Sequence, residues 1–544
     1  MTDKKKTPAR SKAKATKADP KAKRDAADKA DPTDKATDKT PHTGQTADKT
    51  PPKARKPIPK PPAEPAAPPE PPARTRGLPL EAGAFRATPR AGLGAPGDRL
   101  FSGLAWFNGA LYLASSAKAP EGVARIHRRL ASGDWAMVYE SPPQPLGDGT
   151  RMSRDYAITA LAVLQAPGDA APCLYAGTAS ILGGQILRSE DGETFSRVSP
   201  HGLDDDTRLS VTQLTQFDGR VFAVPRGTIT DEVHEPRWSP EPVIHVAQPA
   251  EDGAEPGWVP ACLPGFGDLT NLEIATLTVA HGYLYATTIN PSHGFQLWRT
   301  KAEGAPPYVW EQVLTRGAWR YALNMEVTAA AAFGDALWLG TGLPGRGHDA
   351  THDVGPGAAE LIRVGADGSW DIVAGEMRFT PDGLKVPQTA MSAGFHNDFN
   401  TAISALCVHD GVLYAGTANW EPRHVTELPV EEGEAPPALT GGAELWHSTD
   451  GAHWSRITEG PAADPAGVRI RHLAAAPDGA GLAFTLDLSG QAVARKANLW
   501  VTGMGMLDVP PDDEAEVILG GVAPEAPPAP LSLDPDPPES PQTD

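Results

Sequence analysis

The chain has 544 residues, 49 Lys+Arg and 68 Asp+Glu, for a net charge of -19, which is ample length for a large core. The charge is segregated: residues 1–60 hold 18 Lys+Arg against 8 Asp+Glu, and the remainder holds 31 against 60. Three cysteines (Cys173, Cys262, Cys407) without a CxxC pair exclude a disulfide framework and a cysteine-based metal site, and the absence of any run of 18 apolar residues excludes a membrane-spanning helix.

Residues 1–78 are built from Lys, Ala, Asp, Thr and Pro with almost no large apolar side chain. Such a segment cannot offset its ordering entropy by burial, so a disordered basic tail is expected there. Counterion release would let it contact nucleic acid or another polyanion, while a solubilising role is the plainer alternative. The start "MTDKKKTPARSKAK" carries no apolar stretch of the secretory kind, and a cytoplasmic protein is expected.

From residue 79 onward the pattern changes to short alternating strands. "FNGALYLASS" at 107 is followed by relatives of itself: "PCLYAGTAS" at 172, "FDGRVFAVPRG" at 217, "AHGYLYATTIN" at 280, "FGDALWLGTG" at 333 and "HDGVLYAGTAN" at 409. An aromatic recurs at one place in each (Tyr112, Tyr175, Phe222, Tyr285, Trp338, Tyr414). Repeats of roughly this length, made of strands, signal a radial β-architecture. The unit is clearest near the end of the body, where residues 400–409, 411–419, 441–451 and 453–460 read as four successive strands. The aromatics are expected in the core between wedge-shaped neighbours, and the "NG" and "DG" pairs as tight hairpins with positive φ. "RIRHLAAAP" (469–477), "GLAFTLDLSG" and "ANLWVTG" (497–503) read as a last blade lacking its fourth strand, which the alternating "GAFRATPR" (83–90) would supply from the other end of the chain. The expectation is therefore an all-β fold, a seven-bladed β-propeller of four-stranded antiparallel blades over residues 79–505, with six blades as the alternative. Residues 506–544, Pro-rich and acidic, are expected to form a second disordered tail.

Two stretches carry a family resemblance. "RSEDGETF" (188–195) and "HSTDGAHW" (447–454) resemble the Asp-box of BNR-repeat propellers, in which Ser and Asp cap the turn between the third and fourth strands. Both depart from that pattern, because Asp191 and Asp450 are followed directly by Gly192 and Gly451 where the family has one residue between. Over roughly residues 80–505 the chain is also similar to bacterial propeller proteins of unassigned function with "GGAELWxSxDGxxW" blades and "PDGLKVP" insertions. The Asp-box resemblance implies a sialidase-type hydrolase as an enzymatic option. The arginine-bearing "RIP"-like strand that such enzymes need is missing, since the early "FRATPR" lacks it, and the placed tyrosines read as core.

Candidate site residues lie where first strands begin. Asn271 and Asn400 align eleven residues before their hairpin glycines, with Asn324 at the matching place and Asp98, Asp155 and Arg208 nearby. Asparagine there either closes the loop on backbone groups or forms a polar ring for a ligand, water or cation. The longest loops add Arg316, Trp319 and Arg320 in 315–324, His348, Asp349, His352 and Asp353 in 342–357, and His396 and Asp398 in 378–400. Arg316, Trp319, Arg320, Asp398 and the three asparagines are the ligand-binding candidates. His348, His352 and His396 are candidate ligands of a divalent metal, since imidazole and carboxylate suit Zn, Mn or Fe. Glu273 and Glu326 are either paired carboxylates for a glycosidase or lyase or salt-bridge partners of the nearby arginines. No P-loop, GxSxG or dinucleotide fingerprint stands in a convincing context. Two readings follow: a non-catalytic propeller binding a ligand or protein on its loop-rich face, or a metal- or carboxylate-dependent hydrolase or lyase acting on a sugar or similar polar substrate.

Overall fold

The computed structural model describes most of residues 77–488 together with 514–520. These residues form repeated four-stranded antiparallel sheets, lettered A to G in chain order. The first two strands of each are Leu100–Phe107 and Ala110–Ser116 in A, Ala157–Leu164 and Cys173–Ala179 in B, Ser210–Phe217 and Arg220–Arg226 in C, and Glu273–Ala280 and Tyr283–Ile289 in D. Sheet E has Glu326–Phe333 and Ala336–Gly342, F has Asn400–His409 and Val412–Asn419, and G has Gly467–Ala475 and Leu482–Leu488. First strands pack on one another in order, A on B through to F on G, and the first strand of G packs back on that of A. The architecture is all-β and propeller-like.

Local chemistry sets the hairpins. Asn108–Gly109, Asp218–Gly219 and Asp410–Gly411 all take positive φ, as the two-residue turn requires, and His281–Gly282 does the same in D. With the hairpins fixed, the register places the repeated aromatics opposite equivalent residues: Tyr112 faces Ala105, Tyr175 Ala162, Tyr285 Thr278, Trp338 Ala331 and Tyr414 Cys407. All six are buried, and Phe484 takes the same place in G. The glycine of each S-x-D-G turn has no room for a side chain. Gly192 lies on Tyr112 of the preceding sheet and Gly451 on Trp338, so close that any Cβ would collide with the ring, and both have φ of +78°. Asp191 accepts the N–H groups of Thr194 and Glu193, which hold its carboxyl well below the usual range.

Every first strand carries a β-bulge in its early part. The bulged residue that recurs is Ser102, Thr159, Thr212, Ala275, Thr328, Ser404 or Arg471, and F and G carry a second bulge at Thr401 and Val468. Three of the hydroxyls tie neighbouring sheets together: Thr159 donates to Val211 O (2.5 Å), Thr328 to Ile403 O (2.8 Å) and Ser404 to Ile470 O (2.7 Å).

Sheet G is closed by the start of the chain, since Phe85–Ala87 pairs antiparallel with its third strand, and Phe85 is buried edge-on against Phe484 at 5.7 Å. Its third strand differs from expectation. It is Glu514–Gly520, beyond the limit of 505 and inside the segment expected to be a tail, while 497–503 lies outside the described residues. The prolines and acids that flank "EAEVILG" conceal a strand of seven residues, four of them apolar. Residues 1–76 and 521–544, where the tails were expected, lie outside the described residues. Among the described residues no helix is long and apolar enough to cross a membrane.

Candidate functional site

Four sheets share one polar latch at the rim where first strands begin. Its members are a residue at or just before the first strand (Asp155, Asn271, Asn324, Asn400), a threonine near the end of the second (Thr178, Thr288, Thr341, Thr417), and an amide or acid opening the third (Gln185, Gln296, Glu360, Glu444). Each threonine hydroxyl donates to the first residue, at 2.7 Å to Asp155, 2.9 Å to Asn271, 3.1 Å to Asn324 and 3.0 Å to Asn400. Each threonine also accepts the backbone N–H of the third member. The asparagine amides then donate twice, to Gln296, Glu360 and Glu444 (2.9, 2.7 and 2.6 Å) and to the carbonyls of Gly265, Gly317 and Gly394. In sheet B the polarity is exchanged, with Gln185 donating to Asp155 at 2.8 Å. Burial raises the Asp155 carboxyl's pKa, against the opposing pull of Arg154.

This geometry places Asn271, Asn324 and Asn400 as loop-closing groups. All three are buried, and both amide hydrogens of each are committed within their own sheet. Arg320 is likewise a strut, because it is buried and donates to Ala358 O (2.7 Å), Asn324 (3.2 Å) and Glu376 (2.7 Å). Glu360 is fully buried and balanced by Arg378, which contacts its two oxygens at 2.8 and 2.9 Å. The histidines are not gathered on one point. His348 faces Asp353 at 3.6 Å, His352 bonds Asp349 at 2.6 Å, and His396 bonds Ser392 at 3.1 Å. Among the described residues no three His, Cys, Asp or Glu side chains form a metal-holding group, so the expected metal ligands do not converge. Asp398 is exposed.

A backbone feature that the asparagine alignment overlooked precedes these positions. Residues 202–204, 265–267, 317–319 and 394–396 each run through three consecutive left-handed residues, including Leu203, Phe266, Ala318, Trp319, Phe395 and His396 at φ between 52° and 68°. The sequence signal was present as a glycine six or seven residues before the latch position: "GLDDDTR", "GFGDLTN", "GAWRYALN" and "GFHNDFN". In D and F the second residue of the turn is an aromatic folded inward, Phe266 stacked on Trp298 at 4.9 Å and Phe395 on Trp446 at 4.7 Å. Sheet E departs from this. Ala318 takes the inward position, and the aromatic moves one place on, to Trp319. The left-handed run also lengthens by Arg316 at φ 55°, and after right-handed Arg320 a further left-handed residue follows, Tyr321 at φ 57°. Arg316 is exposed and lies over the Trp319 ring at 4.8 Å, Tyr321 stands edge-on to Trp319 at 6.5 Å, and Tyr321 is 49 % exposed. Gly294 supports this loop so closely that a Cβ would strike the Tyr321 carbonyl.

Where first strands meet, a cavity of about 220 Å³ is lined by Leu104, Leu277, Leu406, Thr276, Thr328 and Arg471 among others. Arg471 is paired with buried Asp487 at 2.6 Å. Beside it His472 meets Thr485 at 3.0 Å, and burial pushes its imidazole down to about 3. Glu273, the first residue of sheet D, is buried against Arg226. Burial pushes its carboxyl up to about 7, with Glu326 adding to the rise and Arg226 opposing it.

No family model matches the chain, and no curated protein matches it. Among solved structures it is similar to U3-55K, with 12% identity over 81% of this chain and 99% of that one and a TM-score of 0.42. It is also similar to the phage phi92 endosialidase (9% identity, 85% and 72% coverage, TM-score 0.38). A third similarity is to the Pyrococcus horikoshii acylaminoacyl peptidase (9% identity, 72% of this chain and 49% of that chain, TM-score 0.37).

Proposed function

We propose that sheets A to G are the blades of one seven-bladed β-propeller of the Asp-box type, and that it binds a ligand or protein on the rim where its first strands begin without itself catalysing a reaction. The loop of sheet E carries this reading. Backbone strain persists where surrounding structure enforces it, and it concentrates at binding sites. In sheets C, D and F the left-handed turn ends after three residues, and in D and F it seats an aromatic inward. In E it holds two further strained residues, and these are the two whose side chains reach solvent on either side of Trp319. The test is a thermal-shift screen of the full chain against a metabolite and glycan library. Ligands that raise the melting temperature of the wild type are expected to have no effect on the Arg316→Ala/Trp319→Ala/Tyr321→Ala variant. Unchanged responses in that variant would move the binding surface elsewhere.

A second reading rests on Glu273. A buried carboxylate whose acidity is shifted to about 7 beside a second acid, Glu326, suits general acid–base work in a hydrolase or lyase. Residues 1–60 add contact with polyanions by counterion release. DNA retardation at low salt that disappears on their removal checks this.

A further inference from the structure

We infer that the platform formed by Arg316, Trp319 and Tyr321 takes a neutral saccharide. This rests on the reading of that rim as a binding face and specifies its ligand.

The argument proceeds by charge and shape. The two aromatic rings meet edge-on, with Tyr321 exposed and Trp319 half-buried, which gives a ligand an apolar ring face to lie on beside a second ring. A cationic ligand would normally seek such rings, but the Trp319 ring already has the Arg316 guanidinium over it at 4.8 Å. A second cation there meets like charge.

A polyanion is disfavoured for the opposite reason. Beyond residue 60 the chain carries 60 Asp+Glu against 31 Lys+Arg, and the neighbouring cations are spent: Arg320 on Glu376 and Arg378 on Glu360. Arg316 makes no ion pair among the described residues, and one guanidinium does not hold a phosphate chain against that field. What fits is a neutral molecule with an apolar face and a rim of hydroxyls. Pyranose rings have this form: their C–H face stacks on the aromatic plane while hydroxyl oxygens accept from the five N–H groups of Arg316. His293 is exposed on the loop that Gly294 presses against Tyr321, and it offers a further donor or acceptor beside the platform.

The experiment uses the full chain and tryptophan fluorescence titrations with maltotetraose, cellotetraose, chitotetraose and mannotetraose. A heparin tetrasaccharide, oligo(dT) and trimethyl-lysine serve as the anionic and cationic comparisons. The expected result is saturable binding of at least one neutral tetrasaccharide, weakened roughly tenfold or more by Trp319→Ala and by Tyr321→Ala, the scale of one lost stacking contact. Arg316→Lys, which keeps the charge but loses the planar fork, should weaken it less than Arg316→Ala. If only the anionic or cationic probes bind and the same variants abolish that binding, the saccharide assignment falls and the binding-face reading stands. If a neutral saccharide binds equally well to all variants, the platform is not the site and both fall. If none of the neutral saccharides binds the wild type, the saccharide assignment is overturned.

Discussion

Sheets B, D, E and F hold their upper rim with one polar latch, whereas A, C and G use three different devices at the same place. Where the latch has threonine, A has Ser115, bonded to His127 at 3.0 Å, and G has Asp487, paired with Arg471 at 2.6 Å. In C the position is Pro225, and Arg208 meets His245 at 3.0 Å instead. The latch is neutral or carries a single acid, and its members differ mainly by exchange of amide for acid, which conserves shape and hydrogen-bond count. The substitutes depend on titratable partners. Titratable groups therefore stand in both classes of sheet, carboxylates in the latches of B, E and F and imidazoles in A and C.

The largest effect is expected where the latch is broken on one side only. Asn400→Leu takes one of two donors from the buried Glu444 oxygen and from the Gly394 carbonyl and removes the acceptor of Thr417 and Asn419, and a cost of about 3 kcal/mol is expected in urea unfolding. Ser115→Ala, in a sheet without the latch, should cost about 1 kcal/mol. Equal losses would mean that the latch is no stronger than its substitutes.

The turn glycines come next. Gly451→Ala forces an alanine to a φ of +78° and drives its Cβ into Trp338, so about 2 kcal/mol should be lost. Gly109→Ala shares a positive φ but has open space around it, and should cost about half as much.

Acid titration separates the two classes of sheet by sign. Burial first and the Arg208 charge second hold His245 down at about 4, from an ordinary 6.5, and His472 lies at about 3. The unfolded chain takes up these protons first. Their contribution is complete above pH 6.5 and is lost as pH falls toward 4 and 3, at up to about 1.4 kcal/mol per pH unit for each group. Glu273 acts the other way: its carboxyl is raised from 4.5 to about 7, so stability is complete below 4.5 and declines as pH rises toward 7. Urea midpoints measured from pH 4 to 7.5 should show His245→Gln flattening the acid limb and Glu273→Gln flattening the opposing slope. Variants whose pH dependence matches that of the wild type would show that neither burial matters.

The smallest effect is expected at the loop histidines. His348→Ala, His352→Ala and His396→Ala are changes at exposed positions, and each should alter stability by no more than about 0.5 kcal/mol in thermal unfolding.

The sequence by itself determined the repeated strands, the buried aromatics and the positive-φ hairpins, because each depends on residues close together in the chain. The closing strand at Phe85 was also legible from its local alternation, but its partner at Glu514–Gly520 was not, since that pairing spans the whole body. The asparagines were legible as a repeat, but their role was not. Their partners lie 17 to 44 residues further on, across loops of different length, and change identity between Gln296, Glu360 and Glu444. The histidines illustrate the converse. Closeness in sequence suggested a cluster, and backbone geometry directed each to a different neighbour. The tertiary structure alone decided which of two arginines four residues apart would be spent internally and which would face solvent, since that depends on where Glu376 and the Ala358 carbonyl lie in space. Local pattern sets strand and turn because their hydrogen bonds are short-range, whereas the satisfaction of a buried polar group depends on whatever distant residue the packing brings within about 3 Å of it.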